Sequence, residues 1–151
     1  MTTTIRQATI KDLNIILDFN LKMALETENL ELPPEKLRPG IEAALLDENK
    51  GVYFVAMVED EIAGSLMITL EWSDWRNGWV AWIQSVYVKN EFRRQGIYSA
   101  LYQHIKSKVL NGEFAGVRLY VDKTNVQAQK TYSALGMNGA HYQLFEWMRD
   151  Y

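Results

Sequence analysis

Between residues 52 and 88 the apolar pattern of this chain changes period, and that change limits the fold more than any other feature. Residues 52–58 form an almost unbroken apolar run rich in β-branched and aromatic side chains, and Glu59, Asp60 and Glu61 follow as a turn. Residues 62–72 continue the strand character, so the two runs predict an antiparallel hairpin. Residues 73–78 make a second polar turn, and 79–88 a third long strand. On either side the period is helical. Leu13, Ile16, Leu17, Leu21, Ala24 and Leu25 recur at helical spacing behind Thr9 and Asp12, which have the spacing of a capping box. A short strand over 5–9 precedes them. A second helix carries Leu37, Ile41, Ala44 and Leu45 on one face, although Pro39 and Gly40 weaken its first turn.

After the third long strand, Ile97, Ala100, Leu101, Ile105 and Val109 mark a helix that closes near Asn111 and Gly112. A buried strand is expected over 117–121. A shorter helix comes next through Val126, Ala128, Tyr132 and Leu135, with Gly136 as its C-terminal cap, and a last strand over 142–147. The strand–helix–strand stretch over 79–121 favours a parallel pair, whereas the hairpins before it are antiparallel. A mixed α/β domain, mostly antiparallel, with helices covering the sheet, is the economical reading.

The 151 residues fit one domain, 1–151, and a chain of this size buries about 68–70% of its unfolded surface. No cysteine is present, which excludes a disulfide framework, a thiolate metal site and a cysteine nucleophile. A formal charge of −3 argues against general nucleic-acid binding, which relies on excess Lys and Arg. Residues 1–6 lack the apolar core of a secretory signal, and no apolar run approaches the roughly 18 residues of a membrane helix. A cytoplasmic location without membrane association is the expectation.

Chemistry concentrates in residues 86–101, where a strand passes through a short basic turn into a helix. The first N–H groups of a helix lack intrahelical partners, and the macrodipole adds positive potential there. Backbone amides at such a point hold phosphate. Gly96 lets the backbone approach phosphate oxygens closely, and Arg93 and Arg94 supply charge. A solvated helix start with two surface arginines is the competing reading of the same residues. The loop is not a Walker A motif and lacks the three-glycine dinucleotide fingerprint.

Here the sequence resembles the GCN5-related N-acetyltransferase (GNAT) family. Arg93-Arg94-Gln95-Gly96-Ile97-Tyr98 matches its pyrophosphate motif, Arg/Gln-x-x-Gly-x-Gly/Ala, at every defined position but the last. Ser85-Val86-Tyr87-Val88 resembles the family's fourth strand. Asn125, Ala128, Tyr132 and Gly136-Met137 resemble its closing acetyl-CoA motif, and the likeness extends over nearly the whole chain. It implies a GNAT-like fold, in which a splayed parallel pair admits the pantetheine arm and helices cover both sheet faces. It implies one N-acetyltransferase domain, with acetyl-CoA as acyl-donor substrate, no metal, and a small-molecule or peptide amine as acceptor.

Carried over, the resemblance gives Val86, Tyr87 and Val88 to the pantetheine and thioester. It gives Arg93, Arg94, Gln95, Gly96, Ile97, Tyr98 and Ser99 to the pyrophosphate, Asn125 to the pantetheine arm, and Tyr132 to protonation of the leaving thiolate. Two departures stand out. Tyr98 replaces a small residue, so its ring either turns away from the phosphates or packs on the cofactor. Gln84 occupies the strand position where many members carry a glutamate base, and an amide cannot serve as a base near neutrality. Gln84 is left to position water or substrate.

Other groups could deprotonate the amine: Glu26 and Glu28, in the region that the resemblance places beside the acceptor, and Glu71 and Asp74, which flank a strand turn; solvated carboxylates are the plainer reading of all four. Trp72, Trp75, Trp79 and Trp82 cluster within eleven residues. They read as a hydrophobic rim, as a homodimer contact, or, for Trp72 and Trp75, as an aromatic wall beside Glu26 and Glu28 for a cationic amine. The competing function is a non-catalytic acyl-CoA-binding sensor module.

Overall fold

The computed structural model describes residues 2–150. It divides at Leu119 into two units. In the first, β1 (Thr3–Gln7) leads through a single 3-10 turn at Ile10–Asp12 into α1 (Leu13–Glu28) and α2 (Pro34–Leu46). Then come β2 (Val52–Val58), β3 (Glu61–Ser73) and β4 (Gly78–Val88), a 3-10 turn at Asn90–Phe92, α3 (Ile97–Leu110) and β5 (Gly116–Leu119). The five strands lie side by side in chain order, antiparallel except for the parallel pair β4–β5. The second unit contains α4 (Val126–Ala134). No helix among the described residues is long and apolar enough to cross a membrane.

The apolar run of β2 is explained by its place in the sheet. Tyr53 and Val55 join Leu13, Ile16, Ile41 and Ala44 in the core beneath α1 and α2. Phe54, pointing the other way, meets His104 of α3 with ring centroids 5.1 Å apart. A strand covered on both faces needs apolar side chains at successive positions, so the usual alternation is lost.

Local signals hold where their chemistry is local. The Thr9 side chain accepts from Lys11 N, and Asp12 accepts from Thr9 N at 2.8 Å, completing the capping box. Asp12 is also bonded by Arg6 at 2.8 and 3.0 Å, which ties β1 to the entry of α1. At the end of α4, Gly136 has φ +91°, Gly136 N donates to Ser133 O and Met137 N to Tyr132 O. That is the paired bonding of a Schellman cap. α2 starts at Pro34, so Pro39 falls in its second turn rather than its first, where its missing N–H forfeits one helical hydrogen bond.

Three expectations are corrected. The strand expected over 5–9 runs instead from Thr3 to Gln7, paired with residues 54–58 of β2. The strand expected over 117–121 runs instead from Gly116 to Leu119. Residues 142–147, expected as a closing strand, have no regular secondary structure. A strand exists only beside a neighbour that completes its hydrogen-bond ladder. Among the described residues no strand pairs with this segment.

Candidate active site

β4 outruns its parallel neighbour. It pairs with β5 from Val80 to Ile83, and β5 then ends at Leu119 while β4 continues to Val88. Just past the last paired residue β4 carries a bulge: Ser65 faces Tyr87 and Met67 faces Gln84, so Leu66 opposes both Ser85 and Val86. Ser85 sits in the left-handed region at φ +54°. A bulge bends its strand and re-aims the residues beyond it, so β4 departs from β5 here. The buried Tyr53 phenol, raised in pKa by burial, interacts with Asn20 and Ser85 at this point.

The register defines which polar groups face the open edge. Lys89 N donates to Ala63 O at 2.8 Å, which makes Val88 and Gly64 a non-hydrogen-bonded pair of the β3–β4 ladder. The N–H and C=O of Val88 therefore point away from β3, to the side that β5 leaves uncovered. Two residues earlier, Val86 lies in the bulge, opposite Leu66 together with Ser85. Gly64 is required for this approach. A Cβ there would lie 2.8 Å from the Tyr87 carbonyl oxygen, 3.2 Å from Ile97 Cγ2 and 3.4 Å from Val88 Cα. A glycine inside an apolar strand is the sequence sign of such contact, and Gly64 is a site residue that sequence reasoning missed.

Beyond Val88 the turn is pinned by its own atoms. Phe92 N donates to Lys89 O, Arg93 N to Asn90 O, and the Gln95 amide to Glu91 O. Arg94 and Gly96 both take left-handed φ, +62° and +80°, and Gly96 is the N-cap of α3. Ala100 N donates to Gly96 O, closing the first turn of α3. Among the described residues no bond is recorded for the N–H groups of Arg94, Gln95, Gly96, Ile97 or Ser99. Grouped amides at a helix N-terminus, with no Cβ at Gly96 and open space where one would be, can receive the oxygens of an anion. The Tyr98 ring stacks on Tyr102 one turn along α3, centroids 6.4 Å apart.

The Arg93 side chain is committed within the protein. Its Nε donates to Val88 O at 2.9 Å, and its terminal nitrogen to Glu26 Oε2 at 2.8 Å. Its guanidinium carbon stands 5.3 Å from the centroid of the Tyr87 ring. Tyr87 in turn donates to Glu26 Oε1 at 3.3 Å and packs on Phe19. Burial, then the neighbouring Glu26 charge, raises the Tyr87 phenol; the hydrogen bond to Glu26 raises the Arg93 guanidinium.

Gln84 Nε2 donates to Thr69 Oγ1 at 2.8 Å, so the amide is fixed across the strands. Glu28 is exposed at the end of α1. Glu71 pairs with Arg118 at 3.1 Å, and Asp74 accepts from Trp75 N within its turn. Burial, with Lys108 nearby, lowers the pKa of His104, which lies on α3 well past its N-terminus.

The tryptophans are not beside the glutamates. Trp72 and Trp79 pair edge to face at 5.1 Å where β3 meets β4, and Trp75, 90% exposed, is at the tip of that hairpin. Eight residues of strand separate Trp79 from Tyr87, which binds Glu26. At a strand's rise that is about 26 Å. The expected wall of Trp72 and Trp75 beside Glu26 and Glu28 is thus corrected: sequence proximity to β4 did not reveal that they belong to opposite ends of it.

In the second unit, Asn125 caps α4 by accepting from Ala128 N at 3.1 Å. Tyr132 lies on α4, half-buried.

The profile of the Acetyltransferase (GNAT) family matches residues 18–137. A crystal structure described as a possible acetyltransferase from Clostridium difficile 630 is 44% identical, covers 100% of both chains and superposes with a TM-score of 0.92. An aminoglycoside acetyltransferase from an uncultured soil metagenomic sample is 22% identical, with 99% of this chain and 96% of that one covered and a TM-score of 0.74. A ribosomal-protein-alanine N-acetyltransferase from Brucella melitensis biovar Abortus 2308 is 15% identical over 98% and 100%, with a TM-score of 0.78. The last two share the fold. A search of curated proteins returned no match. A strand edge opened by a bulge, an amide-rich helix start behind it and a family profile spanning most of the sequence agree: the chain belongs to the GNAT family of acetyltransferases.

Proposed function

We propose that the protein transfers the acetyl group of acetyl-CoA to a primary amine by direct attack within a ternary complex. The observation that carries this reading is the outward N–H of Val88 on the strand edge beyond the last residue of β5, eight residues before a glycine-capped helix start. A ligand that needs a backbone ladder at one end and amide donors for phosphate at the other fits those residues. Val86 and Val88 would hold the pantetheine arm, and an outward N–H would stabilise the negative charge that develops on the thioester oxygen. The backbone from Arg94 through Ser99 would receive the diphosphate, with Tyr98 contributing main chain and its ring directed along the helix.

In the reaction the amine nitrogen attacks the thioester carbonyl carbon, the C–S bond breaks, and the thiolate departs with a proton. Tyr132 is assigned as the donor of that proton, and Asn125 as a neighbour of the pantetheine arm. Gln84 keeps its Oε1 as an acceptor that can orient the incoming amine or a water, because its Nε2 is engaged by Thr69. It takes up no proton. The amine must therefore lose its proton to water or to a carboxylate such as that of exposed Glu28.

Two measurements test the reading. Ligand at 100 times its Kd stabilises by about 2.7 kcal/mol, and for a chain of this size Tm should rise by roughly 5–10 °C. No shift with saturating acetyl-CoA removes the proposal. Thiol release is then measured across amines that include an aminoglycoside and a peptide with an N-terminal alanine, the acceptor classes named for the two distant neighbours. Tyr132→Phe should slow release with little change in acetyl-CoA affinity. The fixed amide of Gln84 favours one alternative, a sensor that binds acyl-CoA without turnover. Binding without thiol release for every amine would select it.

A further inference from the structure

Glu26 stands where helix electrostatics disfavours it. It falls in the last turn of α1, with Glu28 two residues on, and that turn holds no basic residue. The helix dipole is negative at that end, so two carboxylates there oppose it. Something outside the helix must offset the conflict at Glu26, and the structure supplies it. Arg93, 67 positions along the chain, donates to one carboxylate oxygen at 2.8 Å, and the Tyr87 hydroxyl donates to the other at 3.3 Å. Both partners are anchored in turn: Arg93 to the carbonyl of Val88, Tyr87 to Phe19 in the core. Glu28 is exposed, with no such partner among the described residues.

We propose that Glu26 is a positioning residue for the acyl-donor side of the site: through Arg93 it sets the distance and orientation between the outward backbone of Val88 and the amides that begin at Arg94. This rests on the acetyl-transfer function proposed for the site and reassigns Glu26 from the acceptor, where its position in the sequence put it. The physical reason is the geometry of the turn. Residues 89–96 are held by short local bonds and by Lys89 near Glu61 and Glu91 at 3.7 and 3.6 Å. Arg93 alone in that turn reaches α1 through a recorded ion pair among the described residues. The ladder and the cradle must grip one ligand at two places, so a change in the turn between them misaligns both contacts. Binding two places at once with preset spacing avoids an ordering cost at the time of binding. Arg93 is thereby a clip on the Val88 carbonyl, and its charge is largely balanced by Glu26 before any phosphate arrives.

The test is a double-mutant cycle on the full chain, with Kd for CoA measured by calorimetry for wild type, Glu26→Gln, Glu26→Ala, Arg93→Ala and Glu26→Ala/Arg93→Ala. Glu26→Gln keeps the shape and removes the charge, so the fold should persist; thermal melts without ligand check it. Partly exposed ion pairs of this kind couple by up to about fivefold in an equilibrium constant. CoA should bind about three- to fivefold more weakly to both Glu26 variants, and the double variant should be no worse than Arg93→Ala alone. With any amine the wild type acetylates, KM for acetyl-CoA should rise while KM for the amine stays put. A purely structural Glu26 would lower Tm without that split. Unchanged CoA affinity in the Glu26 variants, additive losses in the double variant, or a rise confined to the amine KM would each overturn the inference. Failure of the wild type to bind CoA at all would instead end the reading on which it rests.

Discussion

Replacing Gly64 by alanine probes the geometry that aims Val88 at the open edge. The added methyl carbon would sit 2.8 Å from the Tyr87 carbonyl oxygen, 3.2 Å from Ile97 Cγ2 and 3.4 Å from Val88 Cα. Real Cβ atoms do not approach backbone oxygen that closely, and two of the three obstacles are backbone, so β3 and β4 must separate. Overpacking of a well-packed site costs about 1–3 kcal/mol. Alanine in a strand recovers roughly 0.5–1 kcal/mol of that by removing glycine's extra freedom in the unfolded chain. At the middle of those ranges the net is a loss of about 1.25 kcal/mol. For a chain of this length each kcal/mol is worth roughly 2–4 °C, so Tm should fall by about 2.5–5 °C. Thermal denaturation monitored by circular dichroism measures it. The strand that must yield also carries the outward N–H and C=O of Val88, so CoA affinity should weaken along with stability. A Tm at or above wild type, with CoA binding intact, would refute the reasoning, because the strands would then have room for a side chain.

Other glycines and one ion pair make complementary predictions. Gly40→Ala lies in α2 with open space around its Cβ position, so it should stabilise by about 0.5–1 kcal/mol and raise Tm. Gly96→Ala also meets open space, but its φ of +80° should cost about 1–2 kcal/mol; melts with and without acetyl-CoA should show the larger loss with ligand. The Arg6 hydrogen bond, assisted by Thr9 N–H, holds the Asp12 carboxyl below the usual carboxylate range. Its contribution is present above the unfolded pKa of about 3.9 and is lost as pH falls towards the lower folded value. Asp12→Asn should therefore lower Tm at neutral pH and flatten its decline below about pH 4; parallel curves for the two proteins would exclude that role.

Much of the fold was legible because its causes are local. Thr9 and Asp12 announced the start of the first helical segment, since a capping box is a contact between residues three apart. Gly136 announced the end of α4 because a left-handed cap suits glycine. The basic turn and Gly96 were found for the same reason, as one short segment carries the whole pattern. Residues 142–147 mark the limit. Their composition favours a strand, yet a ladder partner is a property of the surroundings, and the described structure pairs none with them.

The sequence by itself determined the four helices and the strands of the central hairpins, and that a glycine-opened helix comes after a long strand. Only the tertiary structure decided that β5 stops at Leu119 while β4 runs on to Val88, that β4 bulges at Ser85 against β3, and that Trp72 of β3 and Glu26 of α1 lie by opposite ends of β4. It alone brought Arg93 to Glu26. Periodicity and caps express forces acting within a few residues, whereas strand register, edges and distant ion pairs depend on how remote segments pack, which no local pattern encodes.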